Sequence, residues 1–234
     1  MKDVEVDIRL GRKTGEFFLS HLIGATQRLW VMSPWISSEY MELLLSKKAA
    51  GVDVRVFTSN DFIPEQKKAL SSLIEGRKRI LKEENKTLRY WGIGLIVGGV
   101  VLSVFTVGLT LLLSLVGLVM FLVGRERSEI YWVSLLGDEN LKVFESSQYS
   151  LMHSKVYVAD STVVIGSANF TGNGLQRSFE GMATMQSAEL AEQVCKQITE
   201  APLVSSLKEV SYDVIAEVIQ EEAPRKHYYR RRRW

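Results

Sequence analysis

Residues Met152–Thr171 read MHSKVYVADSTVVIGSANFT, and the spacing within this stretch organises the rest of the chain. The two-residue period of a strand places His153, Lys155 and Tyr157 on one face and Ser154, Val156 and Val158 on the other. Ala159 to Thr162 supply a turn, with the reversal near Asp160 and Ser161. A return strand over Val163 to Phe170 then brings Ser167 roughly opposite His153, because cross-strand neighbours lie about 5 Å apart. Imidazole, ammonium, hydroxyl and amide converge. A lone strand histidine is usually a packing residue and GSAN by itself reads as a turn; the two patterns at this spacing point to chemistry instead. The set suits a phosphoryl group, since the Lys155 charge and the neutral groups of Ser167 and Asn169 can hold its oxygens while an imidazole attacks or moves protons.

Written as a pattern, the stretch is H-x-K-x4-D followed by G-S-x-N, and in this it resembles the phospholipase D superfamily, whose members cleave phosphodiesters. The resemblance extends more weakly to a strand-helix-strand stretch around residues 14 to 60. It implies an α/β fold, a phospholipase D-like sheet flanked by helices. It also implies roles: His153 forms a phosphohistidine or protonates the leaving oxygen, Lys155 and Asn169 hold the phosphate, and Ser167 assists. Glu180, in Arg177-Ser178-Phe179-Glu180, stands where relatives carry the acid that orients the imidazole. Asp160 and Gly166 are motif positions of structural character, a turn aspartate commonly serving its own backbone hydrogen bonds. Ser161 to Ile165, between Asp160 and Gly166, are one residue fewer than the family usually has, which tightens the turn.

The motif occurs once. Neither His21 nor His227 is followed by a lysine at the second position. Family chemistry uses two histidines, one attacking phosphorus and one protonating the departing alkoxide, so a single-motif chain implies a homodimer whose second copy completes the site. No cofactor is expected and no metal, since the histidines show no ligand spacing and Cys195 is the sole cysteine. Cys195 is read as a packing residue on a helix around Leu190 to Ile198.

A second feature is the stretch Tyr90 to Gly124, which contains no charged residue and lies between Arg89 and Arg125. It is too long for one upright span at about 1.5 Å per residue and long enough for two short ones. We expect a transmembrane helical hairpin turning near Ser103 to Gly108, with Gly94, Gly98 and Gly99 allowing close helix approach. Both flanks are basic, through Lys82, Lys86 and Arg89 before it and Arg125 and Arg127 after it. The positive-inside rule therefore places both ends, and with them the catalytic domain and both termini, in the cytoplasm of a multi-pass membrane protein.

The remainder of the 234 residues suffices for one α/β domain with a sizeable core. The expected organisation is residues 1–89 as its first part, ending in a basic stalk helix over Pro64 to Arg89, then 90–124 as the membrane hairpin. Residues 125–222 form the second part with the motif, and 223–234 a basic tail. The N-terminus is charged and does not read as a cleavable signal. Helices are expected at Gly15–Ala25, Glu39–Lys48, Ala188–Glu200 and about Ser205–Glu221. Strands are expected at Arg28–Ser33, Val52–Phe57, Ile130–Val133, Leu141–Phe144 and Gly181–Ser187. The tail, with Arg230 to Arg233 and Trp234, suits phosphates of lipid or nucleic acid. The net charge of +2 hides this asymmetry. The resulting expectation is a membrane-anchored, homodimeric phosphodiesterase acting on membrane phospholipids. A membrane-tethered, sequence-nonspecific endonuclease and a catalytically silent scaffold are its alternatives.

Overall fold

The computed structural model describes residues 4–103, 111–146, 152–200 and 207–221. The chain divides into two compact units, one of residues 1–75 with 132–234 and one of residues 76–131.

The first unit is built on a seven-stranded mixed sheet flanked by helices, which carries the α/β expectation. Its strands are β1 (Val6–Arg12), β2 (Arg28–Met32), β3 (Asp53–Ser59), β6 (Leu141–Phe144), β7 (Val156–Ala159), β8 (Thr162–Gly166) and β9 (Phe179–Gln186), in the order β1-β9-β8-β7-β2-β3-β6. β2, β3 and β6 run parallel and the others pair antiparallel. The parallel strands are connected by helices, as such connections require: α2 (Met41–Ala49) joins β2 to β3, while α1 (Thr14–Gly24) precedes β2. α3 (Pro64–Ser71) follows β3, with Pro64 at its first turn where a missing N–H costs nothing. α6 (Ala188–Glu200) and α7 (Tyr212–Glu221) complete the set.

Each sheet face buries its own apolar cluster. Phe18, Leu29, Val31, Val54, Val56, Tyr157, Val164 and Phe170 lie in the larger one. Trp30, Phe57, Val158, Val163, Ala191 and Cys195 lie in the smaller one. Alternation along β2 explains the division, since Leu29 and Val31 point one way and Trp30 and Met32 the other. Cys195 packs from α6 as expected, 4% exposed.

The second unit holds α4 (Lys86–Ser103) and α5 (Leu111–Val123), packed as a helical hairpin and carried on a ribbon of β4 (Ile74–Lys82) and β5 (Arg127–Ser134). Asn85 caps α4 through Oδ1, which accepts the Leu88 N–H at 2.9 Å. The helices touch at Gly92 and Gly117. A Cβ on Gly92 would lie 2.7 Å from the Gly117 carbonyl oxygen, and one on Gly117 would lie 2.6 Å from that of Gly92. Gly94 and Gly98, expected at the contact, have open space instead.

Three expectations are corrected here. First, among the described residues no helix is long and apolar enough to cross a membrane. The described part of α5 covers Leu111–Val123, about 20 Å at 1.5 Å per residue against a hydrocarbon core of about 30 Å. α4 spends its first turn on Lys86 and Arg89. The expected turn of the hairpin falls largely on residues 104–110, outside the described residues. Secondly, the stalk is not one helix over Pro64 to Arg89. The helix ends at Ser71 and residues 74–82 form a strand, because a pairing partner some fifty residues downstream satisfies its backbone groups; Lys78 Nζ reaches Glu126 Oε1 at 2.5 Å. Thirdly, the last helix begins at Tyr212, and Glu209 forms an isolated bridge to Phe144 instead. β1 was also missed, although Val6, Ile8 and Leu10 alternate with charges as a strand does. The basic tail lies outside the described residues.

Candidate active site

The register of β7 and β8 sets the site. Ala159 pairs with Thr162 and Val156 with Ile165, a two-residue reversal at Asp160 and Ser161. Asp160 sits there with φ of 52°, a left-handed conformation that Asp tolerates better than most residues. Its carboxylate accepts the N–H groups of Thr26, Gln27 and Arg28 at 2.9, 2.7 and 2.9 Å and the Thr26 hydroxyl at 3.1 Å. Burial works to raise its pKa, but the backbone donors of Arg28, Thr26 and Gln27 outweigh that and hold it below the ordinary carboxylate value. The turn is thereby tied to the start of β2.

Counting on from this register puts Lys155 across from Gly166, whose N–H donates to the Lys155 carbonyl at 3.2 Å. Ser154, and not His153, therefore stands in line with Ser167. The chain leaves the β7–β8 pair at Gly166, and the Ser167 N–H donates to the Gly181 carbonyl of β9 at 2.9 Å. The Ser167 hydroxyl donates to the Glu180 carboxylate and accepts the Gly181 N–H at 3.0 Å. Gly166 admits this close crossing, since a Cβ there would collide with the Gly181 carbonyl and the Met182 sulfur.

His153 and Lys155 precede β7 and stay together. Lys155 Nζ lies 3.0 Å from both ring nitrogens of His153 and donates to the His153 carbonyl at 2.8 Å. The lysine is 5% exposed, whereas His153 is exposed to solvent. Burial lowers the Lys155 pKa, and the Glu180 carboxylate acts in the opposite sense. Glu180 thus reaches the pair through its field, while its hydrogen bond goes to Ser167.

The loop after β2 supplies residues the sequence reading missed. The Trp35 ring meets His153 edge-on at 6.0 Å and 87°, and its Nε1–H is held by Asp61 at 2.8 Å. Ser33 Oγ accepts the Phe170 N–H at 3.0 Å, and the Ser37 N–H donates to the Phe170 carbonyl at 3.0 Å. These bonds join the loop to the GSAN segment. Asn169 Oδ1 is buried there and has no hydrogen-bond partner among the described residues. Beside it opens a cavity of about 540 Å³ bordered by Trp35, Glu39, Glu65, Asn169, Arg177 and Glu180. The signal for Trp35 was its place just past the carboxyl end of a parallel strand, where open α/β sheets build their sites. Among the described residues no cluster of His, Cys, Asp and Glu could hold a metal ion.

Residues 18–201 match a family model described as cardiolipin synthase, phospholipase D-like domain. The chain belongs to the phospholipase D-like family. The class of chemistry that goes with this family is phosphodiester cleavage. Solved structures similar to this phospholipase D-like chain include Nuc from Salmonella typhimurium, a phospholipase D family member. It has 14% identity and a TM-score of 0.48, over 88% of this chain and 99% of that one. NucT from Helicobacter pylori has 12% identity and a TM-score of 0.45, over 89% and 100% of the two chains. The phosphatidylserine synthase of Haemophilus influenzae has 12% identity and a TM-score of 0.45, over 92% and 42%. No curated protein matches the chain.

Proposed function

We propose that this phospholipase D-like protein hydrolyses phospholipid phosphodiesters at a membrane surface through a phosphohistidine on His153. The observation that carries the reading is the buried Lys155 ammonium held 3.0 Å from both nitrogens of an exposed imidazole. A phosphate oxygen drawn to that ammonium is brought beside the ring, which orients the attack. Attack forms an N–P bond and breaks the P–O bond to the leaving alcohol, which takes a proton from the His153 of a second copy. Water then gives a proton to that second imidazole and attacks phosphorus, the N–P bond breaks, and both rings are restored. Lys155 and the Asn169 amide hold the oxygens throughout. Ser167 and Glu180 act on the lysine and on the loop that presents Asn169. The residues need no cofactor for this sequence of steps.

Two observations favour lipid over nucleic acid. Among the described residues the cavity beside Asn169 carries the carboxylates of Glu39, Glu65 and Glu180 against one cation, Arg177, a lining that disfavours a long polyanionic strand more than a single phosphate. The α4–α5 hairpin exposes Val97, Val101, Leu112, Leu115, Val119 and Leu122, a surface that calls for an apolar environment. In this reading the hairpin enters a leaflet without either described helix crossing it. The family model, named for cardiolipin synthase, supports the same substrate class.

The test is product release from mixed phospholipid vesicles, and from single- and double-stranded DNA and RNA, by full-length protein beside His153→Ala. Lipid turnover lost in the variant, with a phosphoryl adduct trapped on His153 by acid-free quenching and mass spectrometry, supports the reading. Cleavage of nucleic acid alone makes the chain a nuclease. No turnover of any substrate overturns the enzymatic reading.

A further inference from the structure

Among the described residues β1 ends the seven-stranded sheet, paired to β9 on one side only. It is seven residues long and without proline, and what protects it is charge, through Asp7 and Arg9, rather than shortness or a break in the backbone. Ile8 is 68% and Leu10 76% exposed. The register carries that apolar surface inward across the sheet. Ile8 pairs with Ala183, which pairs with Ile165, and Arg12 pairs with Phe179, so Val6, Ile8, Leu10, Phe179 and Ile165 share one face. All five are exposed, Phe179 at 75%.

We infer that β1 pairs antiparallel with β1 of a second copy across a two-fold axis at Ile8. The strand is self-complementary about that residue. A two-fold pairing centred on Ile8 sets Val6 against Leu10 and Asp7 against Arg9, each relation occurring twice as isologous contacts require, with Ile8 against its mate on the axis. Moving the axis by one residue puts Asp7 opposite Asp7 or Arg9 opposite Arg9, and like charges directly opposite are destabilising. Asp7 and Arg9 now bridge each other within one strand at 3.2 Å, and the Arg9 guanidinium lies over the Phe17 ring. The same two groups reach the mate's partners when the strands pair. The outward backbone groups of β1 find donors and acceptors, and the apolar face becomes continuous across the axis.

This interface is not the one that completes the active site. Seven strand spacings separate β7 from its mate across such an axis, about 34 Å at 4.8 Å each, too far for two His153 rings to share a phosphate. The β1 pairing therefore stands independently of the proposed chemistry. Together with a site-completing contact it would give each copy two isologous interfaces, which close into a tetramer or extend as a chain.

The test uses the full-length chain in a Cys195→Ser background under mild oxidation. Ile8→Cys places two sulfurs on directly opposed strand positions, whose Cα separation of about 4.5 to 5.5 Å suits a disulfide. In the same register Glu5→Cys lies six residues from its own mate, about 20 Å away. The expected result is a covalent dimer for Ile8→Cys, roughly tenfold more abundant than for Glu5→Cys. Adding Asp7→Arg should suppress the Ile8→Cys cross-link, and Asp7→Arg with Arg9→Asp should restore it. Equal cross-linking at positions 5 and 8 overturns the inference. So does a folded Ile8→Cys protein that stays monomeric on a non-reducing gel, or an Ile8→Cys cross-link indifferent to Asp7→Arg.

Discussion

Lys155 Nζ lies equidistant from the two ring nitrogens of His153, 3.0 Å from each, and closes on the His153 carbonyl at 2.8 Å. One buried cation therefore fixes both the ring and the backbone that carries it. The neighbouring carboxylate, Glu180, accepts a hydrogen bond from Ser167 and favours the charged lysine through its field.

Lys155→Met is expected to abolish turnover while leaving the fold intact. The pH dependence of stability follows from burial lowering the lysine pKa below its ordinary 10.5. Below the lowered value the charged form is disfavoured in the folded state and the cost is fully present; as pH rises from there toward 10.5 the cost is relieved. Wild-type stability should therefore gain on Lys155→Met with rising pH in that alkaline window. Thermal unfolding of both proteins from neutral pH upward checks it.

Asp160→Ala removes the acceptor of four hydrogen bonds at the β7–β8 turn and places alanine at a left-handed φ. A loss of about 2 to 4 kcal/mol is expected. Asp160→Asn should cost less, because asparagine tolerates the conformation and keeps an acceptor. Since the folded carboxylate pKa is depressed, its stabilisation is whole above the ordinary value and is lost as pH falls through the folded one. Urea titration of the three proteins at neutral pH and at pH about 3 separates the terms.

Gly166→Val drives a side chain into the Gly181 carbonyl and the Met182 side chain. A destabilisation of about 1 to 3 kcal/mol is expected, together with loss of activity as Ser167 is displaced from Glu180. Unfolding by urea and turnover of the phosphodiester substrate measure the two effects.

Val101→Glu with Val119→Glu puts two carboxylates on the exposed apolar surface of the hairpin. Vesicle binding, read by flotation, should fall by roughly tenfold or more, since a charge placed in the hydrocarbon costs about 2.5 to 3.5 kcal/mol. Unchanged flotation would remove the leaflet-inserted hairpin from the proposal.

The motif could be read from residues 152–171 because strand alternation and a two-residue turn are local, and local rules place His153, Lys155 and Asp160 without knowledge of the rest of the chain. Apolar content likewise marked the α4–α5 segment, and the helix over Ala188–Glu200 showed its period in eleven or more residues. Tertiary structure decided what depends on distant partners. Ser167 turned to Glu180 rather than His153 because β9 captures its N–H. Residues 74–82 became a strand because β5 lies beside them. Trp35 reached His153 because the loop after β2 is bonded to Phe170, 137 residues away from Ser33. Periodicity within a window reports only which face a residue presents, whereas contacts between segments are set by packing and backbone hydrogen bonds that no window contains.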